Sequence, residues 1–486
     1  MKIRIAVFIM VFALMISIVS VGNVIAVENN SNFAGAEKAV LSAWDELEDS
    51  ADILEFNISK NEFNDFCDYV HSRNTEYFYV SISGCSHNEI IEKVNFKYSI
   101  DKKDIPQKIT EFNKKSDEIL NLIPENVSDV EKLLILHDYI AGNTKYETKV
   151  YTTPNYDDDY IRTSYGCIVN KLAVCEGISE AFSYFCKKLG INSYLVTSEE
   201  MHHQWNVVEL GGKHYHIDVT QDSIVYNLGD FGFYQPVGDI THNFFLKSDE
   251  QISDATLVGK NNVHYNWDAP YSAKDSVTYK NAFWNNVNGL INYKNGKYYF
   301  VKDFDFVQYD FSNQTTKTLY NIPNASWKCT YGIKHTYKGS SSKAVVDVNK
   351  DYVYFIVCNS IYSYNLNNGE ISVAYTRYGK GFIYSILYSN GKLKLSIRDD
   401  KKNNSNKESG YYDELSVSPT LPDDDALIGD VDSNGEVKIH DVLCLMNYNL
   451  NILKEINSKN ADVNLDSKVD LKDMLLLRRI IANKQG

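Results

Sequence analysis

Three residue types that together can open an amide bond occur in the order Cys175, His203 and Asp218. A thiolate attacks the carbonyl carbon, an imidazole holds and returns the proton, and a carboxylate orients the imidazole. The residues around them suggest how they meet. Ile178, Ala181, Phe182, Phe185, Cys186 and Leu189 recur at helical spacing, and Gly190 supplies a stop. Cys175 therefore falls in the first turn of a helix, where uncapped backbone N–H groups and the helix dipole favour a thiolate. His203 and Asp218 flank a Gly211-Gly212 dipeptide, a strong hairpin signal. A two-residue turn there sets Trp205 against Asp218 and His203 against Thr220. His203, Trp205, His216 and Asp218 then share one face, and His203 and Asp218 are diagonal neighbours. A slip of one residue would turn Asp218 to the other face.

A second chemistry lies near the C-terminus. Asp430, Asp432, Asn434 and Asp441 occupy positions 1, 3, 5 and 12 of an acidic loop, and Asp462, Asn464, Asp466 and Asp473 repeat the pattern 32 residues on. Calcium takes six to eight oxygen ligands, and this alternation turns carboxylates and amides inward around a tight turn. Two calcium ions are expected, with Glu436 and Lys468 contributing backbone carbonyls and Asp470 supplying an oxygen at position 9. Lys438 stands at that position in the first loop, and Ser467 stands where glycine is usual in the second. Each loop runs into an apolar helical stretch, as far as Leu453 and Ile481 respectively.

Plainer readings of the same residues exist. His202, His203, His214 and His216 could form a zinc site, because alternate strand residues point one way. Cys175 could be an inert core thiol, and Asp157-Asp158-Asp159 a solvated loop tip. The eight cysteines lack CxxC or zinc-finger spacing and are too sparse for a disulfide scaffold, so most read as small buried hydrophobes.

The chain that must position these groups has 486 residues, enough for about three domains. With 44% hydrophobic residues it can bury cores, and its net charge of −15 excludes the basic face of a nucleic-acid protein. Residues 1–26 read as a secretory leader: Lys2 and Arg4, an apolar run, then Val24-Ile25-Ala26. After cleavage no membrane segment remains, and an extracellular location is expected. Residues 27–104 combine a helix around Ala36–Glu48 with strands at Glu76–Ile82 and Lys93–Ile100. Helical spacing governs 105–145, with Ser128 and Asp129 placed to cap the second helix. From 275 to 399 alternation takes over, with Asn295-Gly296 and Asn390-Gly391 as turns, and predicts an all-β domain of hairpin repeats. Residues 400–426 have linker composition, and 427–486 form a separate unit.

Two families resemble parts of this chain. The run Tyr165 to Gly177, with His203-Gln204-Trp205-Asn206 and His216-Ile217-Asp218-Val219-Thr220, resembles the three motif blocks of the transglutaminase-like superfamily. Residues His137–Ile140, Asn143–Tyr146 and Phe244–Asp249 extend the likeness over 105–270. It implies a papain-like α+β core in which Cys175, His203 and Asp218 form the catalytic triad. Val219 stands where proline is common and Gln221 where tryptophan is common. Residues 427–482 resemble a dockerin, a calcium-folded α module that plugs an enzyme into a cohesin on a cellulosome-type scaffoldin. The likeness implies cohesin contacts at Ile439, His440, Met446 and Asn447 in one repeat, and at Leu471, Lys472, Arg478 and Arg479 in the other. Together they imply a scaffold-docked cysteine hydrolase or acyltransferase acting on a protein or peptide substrate through an acyl-thioester, cleavage being favoured over crosslinking. The other class of function is a catalytically degenerate module that binds cell-wall or plant-wall polymer.

Overall fold

The computed structural model describes residues 31–154, 156, 158, 160–227, 233–254, 264–323, 326–328, 334–336, 343–377, 382–402, 408–421, 428–464 and 468–484. The expected leader, the acidic-triplet residues Asp157 and Asp159, and loop residues Asp466 and Ser467 lie outside them. No helix among the described residues is long and apolar enough to cross a membrane. The chain is mixed α and β, with many small antiparallel sheets and a helical C-terminal region. It divides into two compact units, one of Met1–Ile140, Thr144–Gln221 and Phe244–Lys280, the other of Ala141–Asn143, Asp222–Asn243 and Asn281–Gly486.

Apolar spacing produces the helix Ile105–Leu120 in the first unit and the helix Asp129–Asn143, which belongs to it as far as Ile140. Ser128 caps the latter: its hydroxyl accepts from the Glu131 amide at 3.4 Å, and the Glu131 carboxylate takes the Ser128 N–H at 2.9 Å. The N-terminal helices are Ser31–Asp45 and Phe63–Arg73, followed by the strands Val80–His87 and Ile91–Tyr98. The first of these strands begins later than the expected 76–82. Phe78 and Tyr79 are turned into the core instead, where Phe78 meets Phe112 at 5.1 Å and Tyr165 at 4.6 Å. Phe245–Lys247, Lys213–Ile217, His203–Leu210 and Ser193–Ser198, in that spatial order, form an antiparallel sheet.

In the second unit the predicted hairpins appear as meanders of consecutive strands. Asn292–Lys294, Lys297–Lys302, Asp305–Asp310 and Thr315–Asn321 make one sheet. Ala344–Val346, Tyr352–Val357, Ser360–Asn365 and Ile371–Thr376 make another. Phe306 of the first stacks on Phe355 of the second, 4.2 Å between ring centres. Asn295-Gly296 and Asn390-Gly391 form the two-residue turns, both residues of each at positive φ, as a type I′ hairpin requires.

Two organisational expectations differ from what is observed. Residues 222–243 do not stay with the preceding region: Ile240 accepts a hydrogen bond from the Gly289 amide at 2.7 Å, and Asp239 forms a fully buried ion pair with Lys343 at 2.8 Å. Within 400–426, Glu408–Val417 is a strand paired to Lys392–Lys402 rather than linker. There Glu414 and Ser416 face out while Leu415 and Val417 turn inward, an alternation that the polar residues on either side obscure in the sequence.

Candidate active site and calcium loops

The approach to Cys175 is tightly built. Gly166–Asn170 forms one π-helical turn, Lys171 leaves it in the left-handed region, and Leu172–Ala173 pairs in parallel with Lys145–Tyr146. Val174, extended at φ −100° and ψ −177°, then opens the helix Cys175–Lys188 with no side chain capping it. The first-turn N–H groups face a negative charge at Cys175 favourably. Cys175 is 7% exposed. A Cβ at Gly177 would lie 2.7 Å from the carbonyl oxygens of both Ile161 and Thr163, so only glycine lets the helix rest on that loop. Gly177→Ala is expected to cost about 2 kcal/mol of stability, measurable by denaturant unfolding.

The hairpin has the expected register, Leu210 pairing with Lys213 and Asn206 with Ile217. It stops earlier than expected. The second strand ends at Ile217, and Val219–Asp222 is a helical turn, so Thr220 does not face His203. Asp218 begins that turn: its Oδ1 accepts the Gln221 amide at 3.0 Å while its own N–H is held by the Phe244 carbonyl at 3.1 Å. His203 Nε2 donates to Asp218 Oδ2 at 2.6 Å, and the Cys175 sulfur is near enough to the same imidazole to favour its protonated form. With Nε2 occupied by Asp218, Nδ1 is the nitrogen left for the sulfur. The cysteine helix is fastened to the histidine strand by Gln204 Nε2 on Ser179 Oγ at 2.8 Å and by Asn206 Nδ2 on Ser183 Oγ at 2.9 Å. Trp205 stacks on His203 with ring centres 5.5 Å apart.

Burial disfavours the His203 cation, yet the Asp218 carboxylate and the Cys175 sulfur outweigh it and push His203 up to about 10. Burial likewise opposes the Asp218 anion, and His203 and His264 hold it well below the usual carboxylate range. The signs fix a pH window. The raised histidine contributes stability that is complete below 6.5 and lost as pH climbs through about 10. The depressed aspartate contributes above 3.8 and loses it as pH falls. The stability difference between wild type and Asp218→Asn is therefore expected to be greatest near pH 5–6 and to shrink by about pH 10, as urea unfolding would read.

The remaining histidines do not gather into the alternative zinc site. His214 stacks on Tyr271 at 4.3 Å, and His216 is bonded between Trp205 Nε1 at 3.0 Å and Asp249 Oδ1 at 2.8 Å. His202 occupies a positive-φ turn. One residue carries no signal in the sequence: His264, whose Nε2 also lies 2.6 Å from Asp218 Oδ2. No spacing rule marks it, 46 residues beyond its partner in an irregular stretch.

In both acidic loops, among the described residues, the position-12 aspartate binds backbone N–H groups of its own loop. Asp441 accepts N–H groups from Val431 at 2.7 Å, Asp432 at 3.2 Å and Lys438 at 2.8 Å. Asp473 accepts from Asn464 at 3.0 Å and Asp470 at 2.8 Å. Asp430, Asp432 and Asp441 are buried with carboxylate oxygens within 4.8 Å of one another. Burial and the neighbouring carboxylates push Asp430 up to about 7 and Asp441 up to about 6. Crowded buried acids of this kind fit a hard divalent cation. Asn434 and Glu436 follow around the same turn, the Asn434 side chain accepting the Glu436 amide at 2.8 Å. Asp462 and Lys468 border the second loop.

The helices Ile439–Asn449 and Leu471–Lys484 pack around Leu445, Leu477 and Ile481. Of the expected partner-facing residues, Ile439, Met446, Leu471, Lys472, Arg478 and Arg479 are exposed and Asn447 is half-buried. His440 is half-buried and bonded through Nδ1 to Asp432 at 3.0 Å. Leu443, Leu450 and Leu475 are also exposed and continue the Ile439 and Leu471 faces. Their helical spacing is readable from the sequence.

The comparisons with known proteins bear on these parts unequally. No curated protein matches the chain. Among solved structures, one described as "Crystal structure of a TGase" shares 17% identity over 29% of this chain and 44% of that one, with a TM-score of 0.21. A menin structure, described as revealing the binding site for Mixed Lineage Leukemia (MLL) protein, shares 20% identity over 25% of this chain and 26% of that one, with a TM-score of 0.18. The chain spans less than half of either, and likenesses at such scores carry no argument about activity. The C-terminal twin loops and helices are different: residues 428–482 match the family model of the dockerin type I domain, which assigns this segment of the chain to that family.

Proposed function

We propose that the chain is a secreted cysteine acyl-transfer enzyme, with a papain-like core, that acts on peptide or amide bonds and is docked to a scaffoldin cohesin through its C-terminal domain. The observation that carries the enzymatic reading is the 2.6 Å bond of His203 to Asp218, with Cys175 near enough to act electrostatically on that imidazole and placed at an uncapped helix start. In this reading the Cys175 thiolate adds to the carbonyl carbon, and the oxyanion is stabilised by N–H groups of the first helical turn. The His203 imidazolium gives its proton to the departing amine as the C–N bond breaks, leaving an acyl-thioester. His203 then takes a proton from water, the hydroxide adds to the thioester carbon, and the carboxylic acid leaves as the thiolate returns. An amine acceptor in place of water would give a crosslink. A peptide-library digest with amine donors present, read by mass spectrometry, separates the outcomes. Cleavage supports hydrolysis, an amine-extended product supports transfer, and an inert library with no selective thiol labelling would favour a binding module.

For docking, each acidic loop would hold one calcium ion. The first would use Asp430, Asp432, Asn434, the Glu436 carbonyl and Asp441, and the second Asp462, Asn464, Asp466, the Lys468 carbonyl, Asp470 and Asp473. The duplicated faces Ile439–Leu443–Met446 and Leu471–Leu475–Arg478 would each present a surface to the cohesin. Ile439→Asp with Leu471→Asp is expected to weaken cohesin binding at least about 100-fold by calorimetry, because both apolar anchors are lost. Unchanged affinity would move the contact elsewhere.

A further inference from the structure

The carboxylate that accepts from His203 accepts from a second imidazole on the same oxygen. His264 Nε2 and His203 Nε2 each lie 2.6 Å from Asp218 Oδ2, while Oδ1 takes the Gln221 amide at 3.0 Å. His264 is completely buried, edge-on to Trp205 at 4.6 Å and tilted against Phe244 at 5.1 Å. Its Nδ1 has no hydrogen-bond partner among the described residues. A histidine walled by aromatic rings and bonded through one nitrogen has a single polar task, donation to Asp218. That task matters because Asp218 is itself wholly buried, where a carboxylate stays ionised only if N–H donors surround it. Two donors on one oxygen and one on the other also fix the plane of the carboxylate.

We propose that His264 is a positioning residue for the candidate catalytic group, holding Asp218 ionised and oriented so that Asp218 can support the His203 imidazolium. The inference rests on the acyl-transfer reading. His264 is wholly buried and acts through Asp218. Without its N–H the buried carboxylate is a stronger base and is held in a less fixed plane, and the imidazolium that faces it keeps its proton to higher pH.

The test needs no substrate. The rate of Cys175 alkylation by iodoacetamide, followed by peptide mass spectrometry on the full chain, is measured across pH for wild type, His264→Phe and His264→Gln. The wild-type rate is expected to show an alkaline inflection where the His203 imidazolium is lost. His264→Phe should move that inflection up by about one pH unit. His264→Gln keeps an N–H donor and should restore it. A His264→Phe profile that superimposes on wild type, or a glutamine variant that behaves like phenylalanine, overturns the role of His264 and leaves the acyl-transfer reading standing. A wild-type alkylation profile that His203→Ala leaves unchanged overturns both. If His264→Phe does not fold, wild-type protein labelled with 15N-histidine still decides. Two imidazole N–H protons should respond when Cys175 is alkylated, and a response confined to His203 refutes the proposal.

Discussion

Cys175→Ala is expected to lower any amide-bond turnover by about 10⁴-fold or more and to remove selective labelling by a thiol-directed probe. In the proposed reaction the sulfur is the atom that bonds to the substrate carbon, so nothing compensates for its loss. His203→Ala should cost about as much, and the double variant little more, because residues that act as a unit fail as a unit. Asp218→Asn should cost less, since it leaves the sulfur and the ring in place while weakening the imidazolium. The measurement is steady-state cleavage of a peptide identified in the library digest, with peptide mapping of the labelled thiol. Turnover persisting in Cys175→Ala would remove the enzymatic reading.

Calcium chelation is expected to unfold residues 428–484 and to reduce cohesin binding below detection, both reversed by adding calcium. The reason is local. The buried Asp430, Asp432 and Asp441 carboxylates crowd within 4.8 Å, and their repulsion without a cation opposes the turn that makes the loop. Asp441 and Asp473 also bind backbone N–H groups of their own loops. Asp441→Ala and Asp473→Ala should therefore lower the melting temperature of this segment even at saturating calcium, more than Asp432→Ala does. Circular dichroism with and without chelator reads the first effect and calorimetric titration with cohesin the second. Alkylation of Cys175 should be unchanged in chelator. Helical signal retained by this segment without calcium would contradict the role given to the loops.

The two sites are legible in the sequence to different degrees. The loops repeat at a fixed offset, and every described ligand candidate lies within a dozen residues of its fellows, so local order alone nearly specifies the site. The Gly211-Gly212 turn likewise sets the pairing of Asn206 with Ile217, because a two-residue loop leaves one register. The path of the chain beyond Ile217 is not legible in the same way. Simple alternation would carry the ladder on through Asp218, but its carboxylate caps a turn and its amide bonds to Phe244, a partner far along the chain. The strand Glu408–Val417 is masked by its polar flanks, and the place of residues 222–243 by contacts made only after the chain returns.

By itself the sequence determined which residues could carry chemistry, the helix that starts at Cys175, the hairpin that carries His203 and the duplicated acidic loops. These depend on spacing and turn geometry over a few residues, which the chain's covalent structure constrains directly. Only the tertiary structure decided that His264 shares Asp218 with His203, that the cysteine helix is bolted to the histidine strand through Ser179 and Ser183, and where the chain divides. Those are meetings of residues far apart along the chain. They arise when buried polar groups must find partners in a packed interior, and no local pattern encodes which partner is found.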